Sequence, residues 1–144
     1  MLKSLGANRV IDRNKNEIDD KSSKPMLHGR WAGVIDSVGG NILATAIKSA
    51  QHGGVIASCG LTQSFQFCTT VYPFILRAVK LIGVDSATCS MDARLKIWEK
   101  LSGEWKINNL NYIYEEISLS NLEQKINLML KGENTGRVIV NLEK

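Results

Sequence analysis

The chain has 144 residues and a mass of 15.9 kDa, which is one domain by length, and a domain of that size would bury roughly 70% of its unfolded surface. Hydrophobic residues make up 44% and charged residues 22%, with a mean hydropathy of −0.09, which excludes a wholly disordered, collagen-like or coiled-coil chain. The net charge of +4 comes from scattered Lys and Arg without aromatic interleaving, so neither nucleic acid nor a membrane surface is an expected partner. No apolar run reaches the roughly 18–20 residues of a membrane span, and the first ten residues are too polar for a signal peptide.

In chain order, residues 1–5 read as the last turns of a helix that Gly6 stops, and NRVID at 8–12 reads as a short strand. Residues 13–30 are polar, carry Pro25, and read mostly as connection. WAGVIDS at 31–37 is the second predicted strand. Gly39 and Gly40 then open a helix over 41–50, with Ile42, Leu43, Ala46, Ile47 and Ala50 at helical spacing, and Gly53 and Gly54 stop it. VIASC at 55–59 is a third strand, and 61–70 is a loop. Pro73 suits the first turn of a short helix over 73–77. VKLIGVD at 79–85 is a fourth strand. An amphipathic helix over 91–105 should turn Leu95, Ile97, Trp98 and Leu101 inward. YIYEEISL at 112–119 is a strand. Ser120 and Glu123 have capping-box spacing at the head of a helix running to about Lys131, which Gly132 ends. RVIVNL at 137–142 is the last strand.

The alternation of strand and helix, with strands that are apolar without a strict period of two, points to an α/β fold built on a parallel sheet with helices on both sides. The polar stretch 107–111 divides the chain into residues 1–106 and a β-α-β segment, 107–144. The three cysteines, Cys59, Cys68 and Cys89, are odd in number and lack zinc spacing, and read as small apolar residues in a reducing, cytoplasmic setting. His28 and His52 belong to no metal motif.

Ligands of open parallel sheets bind at the carboxyl ends of the strands. Three such ends are legible: Asp36-Ser37-Val38-Gly39-Gly40, Ser58-Cys59-Gly60-Leu61 and Val84-Asp85-Ser86. Each is either a ligand-facing edge or a plain βα turn. No G-x-G-x-x-G or G-x-x-x-x-G-K-[ST] occurs, so the usual phosphate anchor is not visible, and Ser58 sits in no nucleophile elbow.

The ordered blocks LKSLGANRVIDR, WAGVIDSVGGNILATAIKSAQHGGVIASCGL, TTVYPFILRAVKLIGVDS, EEISL and GRVIV resemble the C-terminal part of the medium-chain reductase superfamily, in its acrylyl-CoA reductase and quinone oxidoreductase-like branch. PFILRAVKLIGVDS is the most specific of these blocks. The resemblance implies hydride transfer from NADPH to an activated double bond or a quinone, without a catalytic metal. It implies a partial Rossmann-type, doubly wound sheet that lacks its first two strands, with the GroES-like catalytic domain also outside the chain. In the order 3-2-1-4-5-6, NRVID and WAGVIDS would then flank a gap two strands wide, and Ile117, Leu119, Val138 and Val140 would lack their usual partners.

By the same resemblance, Ser58, Cys59, Gly60 and Leu61 line the nicotinamide, Val84, Asp85 and Ser86 face its carboxamide and ribose, and Ser37 and Val38 flank the adenosine or a ribose. Arg13 would meet the adenine or its 2′-phosphate, and Arg137 the pyrophosphate. NADPH binding by these 144 residues alone is expected to be weak or nil, and turnover absent. The expected partners are a second copy, joined at 79–85, or a separate N-terminal half, with the small-molecule substrate met only in the complete enzyme. The rival readings are a non-catalytic nucleotide-binding or dimerisation module and an unrelated α/β domain of methyltransferase type.

Overall fold

Two parallel sheets form in a computed structural model that describes residues 1–12 and 17–143. Among these residues the chain divides into two compact units, one comprising Ile11–Met91 and the other Met1–Val10 with Asp92–Lys144. The polar stretch 107–111 therefore lies inside the second unit.

The first unit is a three-stranded sheet of β1 (Trp31–Asp36), β2 (Ala50–Ser58) and β3 (Lys80–Gly83), all parallel and in that order. Helix α1 (Gly40–Lys48) joins β1 to β2, and α2 (Tyr72–Arg77) precedes β3. Parallel crossovers are right-handed, and successive steps in one direction carry their helices to one face. Leu43 and Ile47 of α1 accordingly gather with Ala50, Ile56 and Val79, with Val34 and Phe74 of α2 packed against them. Val34, Ile56 and Leu81 are register mates, as are Ile35, Ala57 and Ile82, and alternation sends the two sets to opposite faces. Ile56 is 0% exposed and Ile35 84%, so the expectation of helices on both sides is met within this unit on one face.

The helix-spaced residues of α1 are buried as expected, Leu43, Ala46 and Ile47 among them. Its polar residues Thr45 and Lys48 are buried too, because residues 19–22 lie along the other side of the helix. Asp20 donates its backbone N–H to Thr45 Oγ1 at 2.9 Å, and Lys48 Nζ meets Asp20 Oδ2 at 2.6 Å and the Ser22 carbonyl at 3.1 Å. Arg77 ties the same end of the unit together by donating to three backbone carbonyls, those of Leu27, Lys48 and Ala50.

Several expectations change. Gly53 and Gly54 do not stop α1, which ends at Lys48. Ser49 Oγ bonds back to the Thr45 carbonyl at 2.6 Å, and the Leu27 and Arg30 amides take the Lys48 and Ser49 carbonyls. The glycine pair instead falls within β2, where the register with β1 shifts between Trp31 and Gly33, and Gly53 takes φ +73°. NRVID forms no strand, because no ladder among the described residues includes 8–12 and an extended segment needs a neighbour to pair with. Residues 2–6 form turns rather than a helix, closed by Gly6 at φ +99°.

In the second unit, β4 (Tyr114–Ser118) and β5 (Arg137–Asn141) pair in parallel across α4 (Leu122–Leu130), the expected β-α-β arrangement. Ile117 is buried there, against expectation, while Leu119 is exposed. The capping box does not form. Residues Leu119–Asn121 make a 3-10 turn, Asn121 precedes α4 without a side-chain cap, and the Ser120 hydroxyl pairs with that of Ser118 at 2.7 Å. Helix α3 (Met91–Ser102) buries no residue, and Trp98 is 62% exposed, so its apolar stripe is left largely open. The accessible surface is 10910 Å², which for this mass leaves about half of the unfolded surface buried rather than 70%.

The Lys48–Asp20 pair gives stability an acid limb. The hydrogen bond from Lys48 holds the Asp20 carboxyl below its ordinary value of 3.8, with Ser22 adding to the effect. A depressed folded-state value means this stability is complete above the ordinary aspartate range and is lost as pH falls through the folded value. Urea melts across pH 2–6 should show a loss of stability below about pH 4 that Lys48→Met largely removes.

Candidate functional site

The predicted strand ends come together along the carboxyl edge of β1, β2 and β3. The bond that joins the first two starts at Asp36, the last residue of β1 and 4% exposed. Its carboxyl group accepts the amides of Val38 at 3.2 Å and Gly39 at 3.1 Å and the Ser58 hydroxyl at 3.1 Å. Its backbone carbonyl accepts the Cys59 amide at 2.8 Å, and the Cys59 thiol at 3.3 Å. The Val84 amide in turn bonds the Ser58 carbonyl at 2.9 Å, which brings in the end of β3.

Gly60 fits against the Ser37 turn so closely that a Cβ there would lie 2.4 Å from the Ser37 carbonyl oxygen. Ser37, Cys59, Leu61, Val84, Asp85 and Ser86 are exposed along this edge, and Val38, Ser58 and Gly60 are half-buried. Asp85 folds its own turn: its carboxyl accepts the amides of Ala87 and Thr88 at 3.1 Å each, and the Thr88 hydroxyl. Those bonds, the Thr88 hydroxyl first, hold the Asp85 carboxyl below its ordinary value.

The glycines of the first turn do different work from the expected approach to a ligand. Gly39, at φ +70°, and Gly40, at φ +57°, lie against the chain's own loop over residues 60–64. A Cβ on Gly39 would fall 2.3 Å from the Ser64 carbonyl oxygen, and one on Gly40 2.4 Å from the Gln63 carboxamide. The Gly40 amide bonds the Ser64 carbonyl at 3.1 Å, the Ile42 amide bonds Gln63 Oε1 at 3.3 Å, and the Gln63 amide bonds the Val38 carbonyl at 2.8 Å. Gln63 thus caps α1, a partner that spacing in the sequence could not reveal because it lies 21 residues from Ile42. The Gly40 and Ile42 amides, which could otherwise face an anion, are engaged here.

Arg13 lies outside the described residues. Arg137 opens β5 in the other unit, is exposed, and bonds the Ile113 carbonyl through its backbone at 2.7 Å. The sequence marked Asp36 only as the first residue of a strand end and did not single out Gln63; the two organise the edge. The exposed backbone and small side chains of the edge fit the flat ring and ribose end of a nicotinamide cofactor. The capped head of α1 does not fit its diphosphate.

Residues 1–103 match the family model described as zinc-binding dehydrogenase. YhfP of Bacillus subtilis, which carries the name of a quinone oxidoreductase, is 41% identical over 98% of this chain and 42% of its own length. The acrylyl-CoA reductase AcuI of Ruegeria pomeroyi is 34% identical over 98% of this chain and 42% of its own. The crystal structure of Bacillus subtilis YhfP with NAD bound superposes with a TM-score of 0.87 at 41% identity, covering 98% of this chain and 43% of that one. Escherichia coli YhdH with bound NADPH superposes with a TM-score of 0.83 at 38% identity, covering 96% and 42%. The chain therefore spans about 42% of the length of the curated relatives it matches. The family description names zinc, but among the described residues no group of three or more His, Cys, Asp or Glu side chains could hold a metal ion.

The Gly60 contact carries a direct expectation. Gly60→Ala sets a methyl group against backbone, which must move the Ser37 turn, and overpacking of this kind costs about 1–3 kcal/mol. Denaturant melts should show that loss, whereas Gly83→Ala, where a Cβ meets nothing within 4 Å, should change stability by less than about 1 kcal/mol.

Proposed function

The chain belongs to the zinc-binding dehydrogenase family, within the acrylyl-CoA reductase and quinone oxidoreductase branch of the medium-chain reductases, and from that premise we propose that it supplies one wall of a nicotinamide cofactor site. The observation that supports this reading is the joined edge of strand ends, in which Cys59 N bonds Asp36 O and Val84 N bonds Ser58 O. Ser58, Cys59, Gly60 and Leu61 would face the nicotinamide, Val84, Asp85 and Ser86 its carboxamide and ribose, and Ser37 and Val38 a ribose. Arg137 and Arg13 would answer the phosphates, since a guanidinium stays charged and bonds two oxygens at once. The bound cofactor, NADPH in this reading, would donate hydride to an activated double bond or a quinone. The chain's own part is to hold the reacting ring against a fixed edge and to keep solvent from one side of it.

No catalytic side chain is assigned. Residues 107–144 are proposed to pack on the catalytic domain of a complete enzyme, which would cover the exposed apolar residues of α4 and β4. The working compartment is proposed to be the cytoplasm, and among the described residues no helix is long and apolar enough to cross a membrane.

Titration of NADPH into the isotope-labelled chain should shift the amides of Ser37, Val38, Cys59, Gly60 and Val84, with affinity at least tenfold weaker than a full-length relative's. Unmoved amides at those positions would overturn the assignment. The 144 residues alone should not oxidise NADPH in the presence of a quinone or acrylyl-CoA, and turnover above background would sink the one-wall reading.

The outer strand β3 is proposed as an edge that joins a second copy, since it pairs on one side only and exposes Leu81 and Ile82. Light scattering should give a dimer that Ile82→Lys disperses. A monomer at every concentration would refute this contact.

A further inference from the structure

At the strand edge several hydrogen-bond donors are turned inward onto one residue. The Val38 and Gly39 amides and the Ser58 hydroxyl donate to the Asp36 carboxyl group, and the Cys59 amide and thiol donate to the Asp36 carbonyl. The Val84 amide is turned inward too, onto the Ser58 carbonyl.

The two carboxyl oxygens divide these bonds. Oδ1 takes the Val38 amide at 3.2 Å and the Gly39 amide at 3.1 Å, while Oδ2 takes Gly39 again at 3.2 Å and the Ser58 hydroxyl at 3.1 Å. A hydroxyl has a single proton and two lone pairs. Ser58 gives its proton to Asp36, so it meets a ligand only as an acceptor. Ser58 is the last residue of β2 and half-buried, so it belongs to the edge itself, with the buried Asp36 carboxyl behind it. The exposed Asp85 follows the end of β3. An edge of this polarity suits a ligand group that donates hydrogen bonds and carries no negative charge. A carboxamide NH2 is such a group. A carboxylate in its place has no proton to give and sets its own lone pairs against those of Ser58.

We infer that Asp36 is a positioning residue that acts through Ser58: by taking the hydroxyl proton it makes Ser58 an acceptor for the carboxamide of a nicotinamide ring and turns away the corresponding acid. This rests on the reading of the strand edge as the nicotinamide wall, which it deepens by naming the chemical group the edge discriminates.

The variant Asp36→Asn separates this role from a merely structural one. Its Oδ1 can keep the Val38 and Gly39 amides, whereas its Nδ2 donates where Oδ2 accepts. Ser58 then accepts from residue 36, and its own proton turns to the ligand. The probes are NADP+ and nicotinic acid adenine dinucleotide phosphate, which differ only in carboxamide against carboxylate. Each is titrated into the isotope-labelled 144-residue chain and read at the amides of Cys59 and Val84. The unaltered chain should bind the amide form about fivefold more tightly than the acid, the size of one hydrogen bond. Asp36→Asn should bring that ratio to about two or below, and so should Ser58→Ala, which keeps the Asp36 carboxyl and removes only the acceptor. Unchanged amide positions for Val34 and Ile56 show that a variant keeps its fold, and Ser58→Ala decides alone where Asp36→Asn does not fold.

A purely structural Asp36 would weaken both dinucleotides alike and leave the ratio where it was. That result, or a Ser58→Ala chain that retains the full preference, would overturn the inference. If neither dinucleotide moves the edge amides, the nicotinamide wall itself falls and the inference with it. If both move them with equal affinity in the unaltered chain, the wall stands and Asp36 loses the role.

Discussion

The edge of the sheet is organised by one residue, Asp36. It ends β1 and turns both of its acceptor groups to use, its carboxyl toward Val38, Gly39 and Ser58 and its carbonyl toward Cys59. A buried carboxyl survives because its oxygens are satisfied, and here they are satisfied by the two chain segments that must lie side by side for any ligand to meet them together. The turn after β1 and the turn after β2 are thereby one object. Val84 extends it to β3 through a single backbone bond.

Glycine makes that object possible and also limits it. Gly39 and Gly60 are placed where backbone meets backbone, and a side chain there would part the turns, while Gly40 lies against the Gln63 side chain. The closeness is spent on the protein's own loop. Gln63 and Ser64 occupy the head of α1 and take its Ile42 and Gly40 amides, two of the groups that hold a diphosphate in many nucleotide sites.

Elements whose signal is local were legible in the sequence. The period of α1, the Pro at the head of α2, and the apolar runs of β1, β2 and β3 are patterns complete within a few residues. What failed depended on distant partners. NRVID has the composition of a strand but no strand beside it, and a ladder needs two members. Ser120 has the spacing of a capping box, yet its hydroxyl found Ser118 across a 3-10 turn. The end of α1 was assigned to the visible glycines when Ser49 and the amides of 27–30 set it. The strand ends are legible because parallel topology draws attention there, whereas the joining role of Asp36 and the capping role of Gln63 rest on bonds to Ser58 and Ile42, 22 and 21 residues away.

The apolar surface left open follows the same logic. Ile35 on one face of the first sheet, and Leu95, Trp98 and Leu101 on α3, sit at positions whose spacing calls for burial, yet they are exposed. Local patterning is thus in place ahead of the contacts it would serve. In a family whose matched relatives are more than twice as long, such faces are where the rest of an enzyme would be expected to lie.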